Sequence, residues 1–167
     1  MKKTMMALMF AVALPALAAS PDVYFSPNGG AEAAVVSQID GAQKDLHIMT
    51  YQLTNKNITE AVLQAFGRGV HVSIIVDRSQ RNPTKGDQYC CAAKVAKIIN
   101  TKLDAKHPIH HNKVIVIDGE TVITGSFNFS NAAEHSNAEN MLVIHDPELA
   151  KKYLATWEVH AAHSEQY

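Results

Sequence analysis

Cysteine is nearly absent from this 167-residue chain: Cys90 and Cys91 are the only two, and they are neighbours. Adjacent Cα atoms stand about 3.8 Å apart, short of the usual disulfide span. No intrachain framework is therefore available to staple the fold, and two reduced or packed thiols are the favoured reading. An excess of either charge is missing too. Lys and Arg number 15 against 16 Asp and Glu, so there is no global basic field, and any nucleic-acid binding must rest on a local, salt-sensitive patch. Internal repeats and low-complexity tracts are lacking. No stretch beyond the N-terminus approaches the roughly 20 apolar residues that span a bilayer.

The N-terminus itself reads as an export signal. Lys2 and Lys3 form a positive start, Met5 to Leu14 an apolar run, and Ala16-Leu17-Ala18 a small-x-small cleavage site, the three parts of a secretory signal peptide. Residues 1–18 are assigned to it, with cleavage after Ala18. The apolar run is short and interrupted by Pro15, which disfavours an uncleaved anchor. Residues 19–167 are left as one exported domain, periplasmic or secreted, without stable membrane insertion. Loss of Lys2 and Lys3 leaves 13 basic against 16 acidic residues, a formal charge of −3.

Along that domain, Val23 to Phe25 reads as a strand and Ala31 to Gln43 as a helix, with Ala33, Ala34, Val35, Val36 and Ile39 at helical spacing. Strand Asp45–Leu53, helix Asn57–Phe66 and strand Val70–Val76 follow. This β-α-β-α-β order predicts an α/β fold, an α/β/α layered domain around a central mixed sheet. A polar loop from Asp77 to Asp87 carries Arg78, Arg81 and Lys85, which suit either phosphate contact or a solvated surface. A helix is expected from Gln88 to Asn100. Val114–Ile117 is apolar throughout, as a strand buried on both faces would be. Asp118-Gly119 predicts a hairpin turn, Thr121–Thr124 the returning strand, and Asn140–His145 one more. Asp146 as cap and Pro147 at the first helical position open a last helix reaching about His160.

The chemistry concentrates in the run HNKVIVIDGETVITGSFNFS. His111 and Lys113, two apart on a strand, share a face. A two-residue turn at Asp118-Gly119 would set Lys113 opposite Thr124 and His111 opposite Ser126, with Asn128 extending that face. A one-residue slip would send Ser126 to the other side. Phe127 and Phe129, in alternation with them, should point into the core. Lys113, Ser126 and Asn128 can hold phosphate oxygens as charge develops, and a neutral His111 can attack phosphorus to form a phosphohistidine. Asp118 is explained either by a catalytic place in the constellation or by turn chemistry alone. His107, His110 and His111 lie close enough to raise a metal site, but the neighbouring lysine and the lack of evident further ligands make metal-free chemistry the preferred reading. His47, His71 and Trp157 read as packing residues. No cofactor is expected.

The spacing His-x-Lys, four residues, Asp, six residues, Gly-Ser-x-Asn resembles the HKD signature of the phospholipase D superfamily. Six fixed positions would coincide by chance with a likelihood on the order of 10⁻⁶ in a chain this long, so coincidence is set aside. From about His110 to Val143 the chain is similar to the small bacterial Nuc-type endonucleases of that superfamily. The resemblance implies hydrolysis of DNA, and of RNA as an extension, without metal. His-x-Lys occurs once here, and relatives with one motif work as homodimers, so the resemblance also implies a two-fold dimer in which the two His111 rings share one active site. It further implies an acidic residue that fixes the histidine tautomer, for which Glu139 is the choice and Glu134 the fallback. The other readings are a phospholipase acting on headgroup phosphodiesters and a catalytically silent nucleic-acid-binding module.

Overall fold

A computed structural model describes residues 20–81 and 90–167. Its centre is one eight-stranded mixed sheet. Strands β1 (Asp22–Ser26), β2 (Asp45–Thr50), β3 (His71–Asp77), β4 (Asn100–Asp104), β5 (Lys113–Ile117), β6 (Thr121–Gly125), β7 (Glu139–His145) and β8 (Glu165–Gln166) lie in the order β1-β7-β6-β5-β2-β3-β4-β8. β2, β3 and β4 run parallel, and every other neighbouring pair is antiparallel. The chain thus builds outward from β2 in one direction and then returns to its other side with β5. The junction of β2 and β5 is the topological switch point, where open α/β sheets place their ligands beyond the strand ends.

Four elements were not anticipated from sequence: a 3-10 turn at Arg78–Arg81, β4, β8 and the short helix α4 (Asn131–His135). The helix expected to reach Asn100 is α3 (Cys90–Ala96), which stops early. In Asn-Thr-Lys-Leu-Asp of β4 only Leu103 is apolar, so no hydrophobic alternation advertises a strand. Its pairing with β3 supplies the order that its composition does not.

Helices cover both faces. Helices α1 (Ala31–Gly41), α2 (Lys56–Gly67) and α3 pack Val35, Ile39, Ile58, Val62, Ala65 and Val95 against Leu46, Ile48, Ile74, Ile115 and Ile123. Phe127 and Phe129 are buried in the same layer, as expected. On the opposite face α5 (Pro147–His163) lays Ala150, Trp157 and Ala161 on Met49, Ile75, Val114, Val116 and Val122. β5 therefore sends odd-numbered residues to the first layer and even-numbered ones to the second, the period of two that its unbroken apolar run concealed. Each such fully buried aliphatic side chain contributes about 1.5–3 kcal/mol. The helix starts are chemically fixed: Asn55 accepts from the Ile58 N–H at 3.0 Å, and Asp146 from those of Glu148 and Leu149 at 2.9 and 3.0 Å. Cys91 is buried, its Sγ donating to the Thr54 carbonyl at 3.5 Å.

The β5–β6 hairpin departs from the expected register. Asp118 and Gly119 adopt φ of 55° and 69°, and the Glu120 N–H donates to the Ile117 carbonyl at 3.0 Å, so the predicted tight turn forms. Ile117 nonetheless pairs with Thr121, and Val114 with Thr124. The turn is followed by one extra residue, Glu120, which shifts the pairing by one position. The cause lies in Asp118, whose carboxylate accepts from the backbone N–H groups of Gln43, Lys44 and Asp45 at 2.9, 2.7 and 3.0 Å. Those three bonds bind the turn to the loop between α1 and β2 and set where the hairpin closes.

Candidate active site

Lys113 opens β5 at the end of the sheet where β2 and β3 finish. It pairs with Thr50, and the Tyr51 N–H donates to the Asn112 carbonyl at 2.8 Å, which holds the segment before Lys113 against the end of β2. Lys113 is 6% exposed, with Nζ donating to the His111 carbonyl at 2.8 Å and lying 5.5 Å from the centre of the Tyr51 ring. Burial pushes its ammonium below the ordinary lysine range, while the negative charge of Glu139 opposes the shift. The His111 ring is exposed and stacks at a tilt on the same tyrosine, 5.1 Å between centres. One tyrosine thus contacts both an open imidazole and a largely desolvated cation. Sequence reasoning missed Tyr51, because the apolar stretch around it reads as continuous strand.

Glu139 opens β7 and falls in step with Met141 and Val143, both in the first-layer core, so it shares Lys113's side of the sheet. Its carboxylate accepts from Asn137 Nδ2 at 3.0 Å, and among the described residues no hydrogen bond joins it to a histidine of the same chain. The fallback, Glu134, is otherwise engaged: its Oε2 accepts from the Glu32 N–H at 2.9 Å in the first turn of α1.

Ser126 and Asn128 lie at the neighbouring strand end. With the observed register, Gly125 takes the place across from Lys113 and ends β6 in a bend, so hairpin alternation does not carry on to Ser126. Ser126 is exposed, and its Oγ accepts from the Asn140 N–H at 3.1 Å. Gly125 is required at the bend, since a Cβ there would stand 2.3 Å from the Asn140 carbonyl oxygen. Asn128 keeps a buried Oδ1 without a hydrogen-bond partner among the described residues. Asp118 stands at the far end of β5, about 16 Å along the strand from Lys113. The turn reading is therefore the one its geometry supports. Of the basic loop, Arg78 donates to the Pro108 carbonyl at 3.3 Å and Arg81 pairs with Glu165 at 3.0 Å, while Lys85 lies outside the described residues.

The same end of the sheet holds a second group of histidines. His107 and His110 do not join His111 there. They turn away to Asp104, at the end of β4, together with His160 and His163 from the last turn of α5.

The family model described as cardiolipin synthase, phospholipase D-like domain matches residues 35–159. The chain belongs to the phospholipase D superfamily. A phospholipase D of Rickettsia conorii is 40% identical over 137 residues, covering 80% of this chain and 65% of the relative. A mitochondrial cardiolipin hydrolase of Chlamydomonas reinhardtii is 31% identical over 115 residues, covering 69% of this chain and 50% of that one. The chain thus spans between half and just under two thirds of these relatives. Among solved structures, the phospholipase D family member Nuc from Salmonella typhimurium superposes with a TM-score of 0.82 at 38% identity, over 89% of this chain and 97% of that one. NucT from Helicobacter pylori gives 0.79 at 25% identity, over 89% and 99%. In this superfamily member the mixed sheet brings His111, Lys113 and Glu139 to the β2–β5 junction and leaves Asp118 at the opposite end.

Proposed function

We propose that this protein is an exported phosphodiesterase, an endonuclease that cleaves DNA, and RNA as an extension, as a homodimer with one shared active site. The observation that carries the reading is the solvent-open His111 imidazole beside the nearly buried Lys113 ammonium, present once per chain. His111 attacks phosphorus, the P–O bond to the leaving sugar oxygen breaks, and a phosphohistidine forms. The partner's His111 donates a proton to that oxygen, then takes one from the water that hydrolyses the phosphohistidine. Lys113 supplies the positive charge that the developing phosphorane oxygens need, a role strengthened by its low-dielectric setting. Glu139 positions this pair, through its charge on Lys113 in its own chain and as the acceptor for a histidine ring across the two-fold axis.

Nucleic acid is preferred over lipid because the likeness to Nuc and NucT runs through nearly the whole of those chains, whereas the lipid-named relatives extend well beyond the matched region. Among the described residues no helix is long and apolar enough to cross a membrane. Phospholipid headgroup hydrolysis is the second reading, favoured by the 40% identity to the rickettsial phospholipase D.

Nicking of supercoiled plasmid, run beside headgroup release from phosphatidylcholine and cardiolipin vesicles, separates the two. Nicking that persists in freshly chelated enzyme and disappears in His111→Ala supports the nuclease. Headgroup release without nicking transfers the reading to lipid, and neither activity sinks the enzyme. Subunit exchange tests the shared site: excess His111→Ala chains should silence wild-type protein, and unaffected activity would argue for self-sufficient monomers. For export, the mature protein should begin at Ala19.

A further inference from the structure

Around a single oxygen, Asp104 Oδ2, the fold gathers four imidazole nitrogens. His107 Nδ1 stands at 2.8 Å, His110 Nδ1 at 3.0 Å, His160 Nδ1 at 3.2 Å and His163 Nε2 at 3.3 Å. The Asp104 side chain is wholly buried, and its other oxygen already accepts the backbone N–H groups of Lys106 and His107. One carboxylate oxygen has about two lone-pair directions, so four N–H donors cannot all be satisfied there. Protonating the rings does not resolve this, because it would crowd several positive charges about one negative charge in a site of low dielectric.

We propose that Asp104, His107, His160 and His163 bind a divalent transition ion, with zinc as the natural occupant. The four ligand atoms lie within 4.8 Å of one another. A tetrahedral zinc site with bonds near 2.0–2.1 Å has edges of about 3.3 Å; the Asp104 Oδ2 distances to His160 and His163, 3.2 and 3.3 Å, match that edge, and His107 at 2.8 Å needs to move outward by about half an ångström. A nitrogen-rich set with one carboxylate suits zinc among the common biological dications, whereas magnesium and calcium prefer oxygen. The last turn of α5 supplies His160 and His163, so the negative end of the helix dipole also favours a cation there.

His110 completes the arrangement from outside. It is wholly buried, its Nδ1 faces Asp104 and its backbone N–H donates to Asp77 Oδ2 at 2.7 Å. That makes it the group that holds the carboxylate in place for the ion. Four protein ligands leave no open position, so the site is structural. It ties the C-terminal helix to the segment between β4 and β5, whose last residues are His111 and Asn112. The inference concerns a different set of histidines from the proposed nuclease chemistry and stands or falls without it.

The test uses the mature full-length protein stripped with a chelator and titrated with cobalt(II) as the optical probe, followed by zinc. One equivalent per chain should bind, with the intense visible d–d bands of four-coordinate cobalt, and zinc should bleach them and raise the Tm. The double variant His160→Gln/His163→Gln should weaken binding at least 100-fold. His107→Ala, at a half-exposed loop ring, repeats the test where folding is not at stake. His111→Gln should bind the probe like the wild type. Absence of both the bands and the Tm rise overturns the site, as does a band lost in His111→Gln and retained in His107→Ala.

Discussion

Two groups of histidines meet at the same end of one sheet and are prepared for opposite tasks. His111 is open to solvent and rests on Tyr51, and its backbone carbonyl accepts from the Lys113 ammonium. Its neighbour His110 is buried, and with His107, His160 and His163 it converges on the Asp104 carboxylate. Adjacent residues of an extended segment point to opposite sides, and that alternation sends one imidazole to each setting. Exposure beside a fixed positive charge suits a nucleophile that must meet a phosphate. Burial suits a group that must stay neutral, and burial does hold His110 below its ordinary range against the opposing pull of Asp104. The lesson is that a histidine's role follows first from its access to water and then from the charge beside it.

The contrast is broken most severely at His111. His111→Ala should lower plasmid nicking by at least 10³-fold while leaving cobalt stoichiometry and thermal stability as in the wild type. Next comes Lys113→Met, which removes the desolvated charge but keeps its volume. Turnover should fall by about 10²–10³-fold with stability unchanged or slightly raised, as steady-state kinetics and urea melts would register.

On the other side, Asp104→Asn should cost about 2–3 kcal/mol in urea unfolding, since charge-assisted bonds to the buried His110 ring and its partly exposed neighbours are lost. Desolvation alone would raise the Asp104 carboxyl, but its bonds from His107, His163 and His110 hold it well below the usual carboxylate range. The folded value is depressed, so its contribution is present above the unfolded value near 3.9 and is lost as pH falls below it. Acid titration of the metal-free protein should accordingly show a steep loss below about pH 4, flattened in Asp104→Asn. The smallest effect is expected at Asp118→Ala. Loss of an acceptor for three backbone amides should reduce stability by about 1–2 kcal/mol, with turnover changed less than a few fold. A larger kinetic loss would restore Asp118 to the chemistry.

Much of this was legible in the sequence where the signal is local. The alternation of β-α-β-α-β, the Asp118-Gly119 turn and the Asp146-Pro147 helix start each rest on contacts within a few residues, and each forms as expected. β4 escaped because its order comes from β3 and not from its own composition. The hairpin register escaped because Asp118 is bound to residues 73–75 positions earlier in the chain, a constraint no hairpin rule contains.

By itself the sequence determined the superfamily and the mixed α/β architecture, and it singled out His111 and Lys113 as the candidate site, because the signature is contiguous and its residues ride on adjoining strands. Only the tertiary structure decided what those residues face. It placed Glu139 on Lys113's side, sent Asp118 to the far end, and shifted the β5–β6 register by one position. It also drew His160 and His163 across 56 and 59 residues to Asp104. The physical reason is that charge and burial act through space, and β4 and the last turn of α5 become neighbours only once β5 has inserted beside β2 and the helix has closed over the second face.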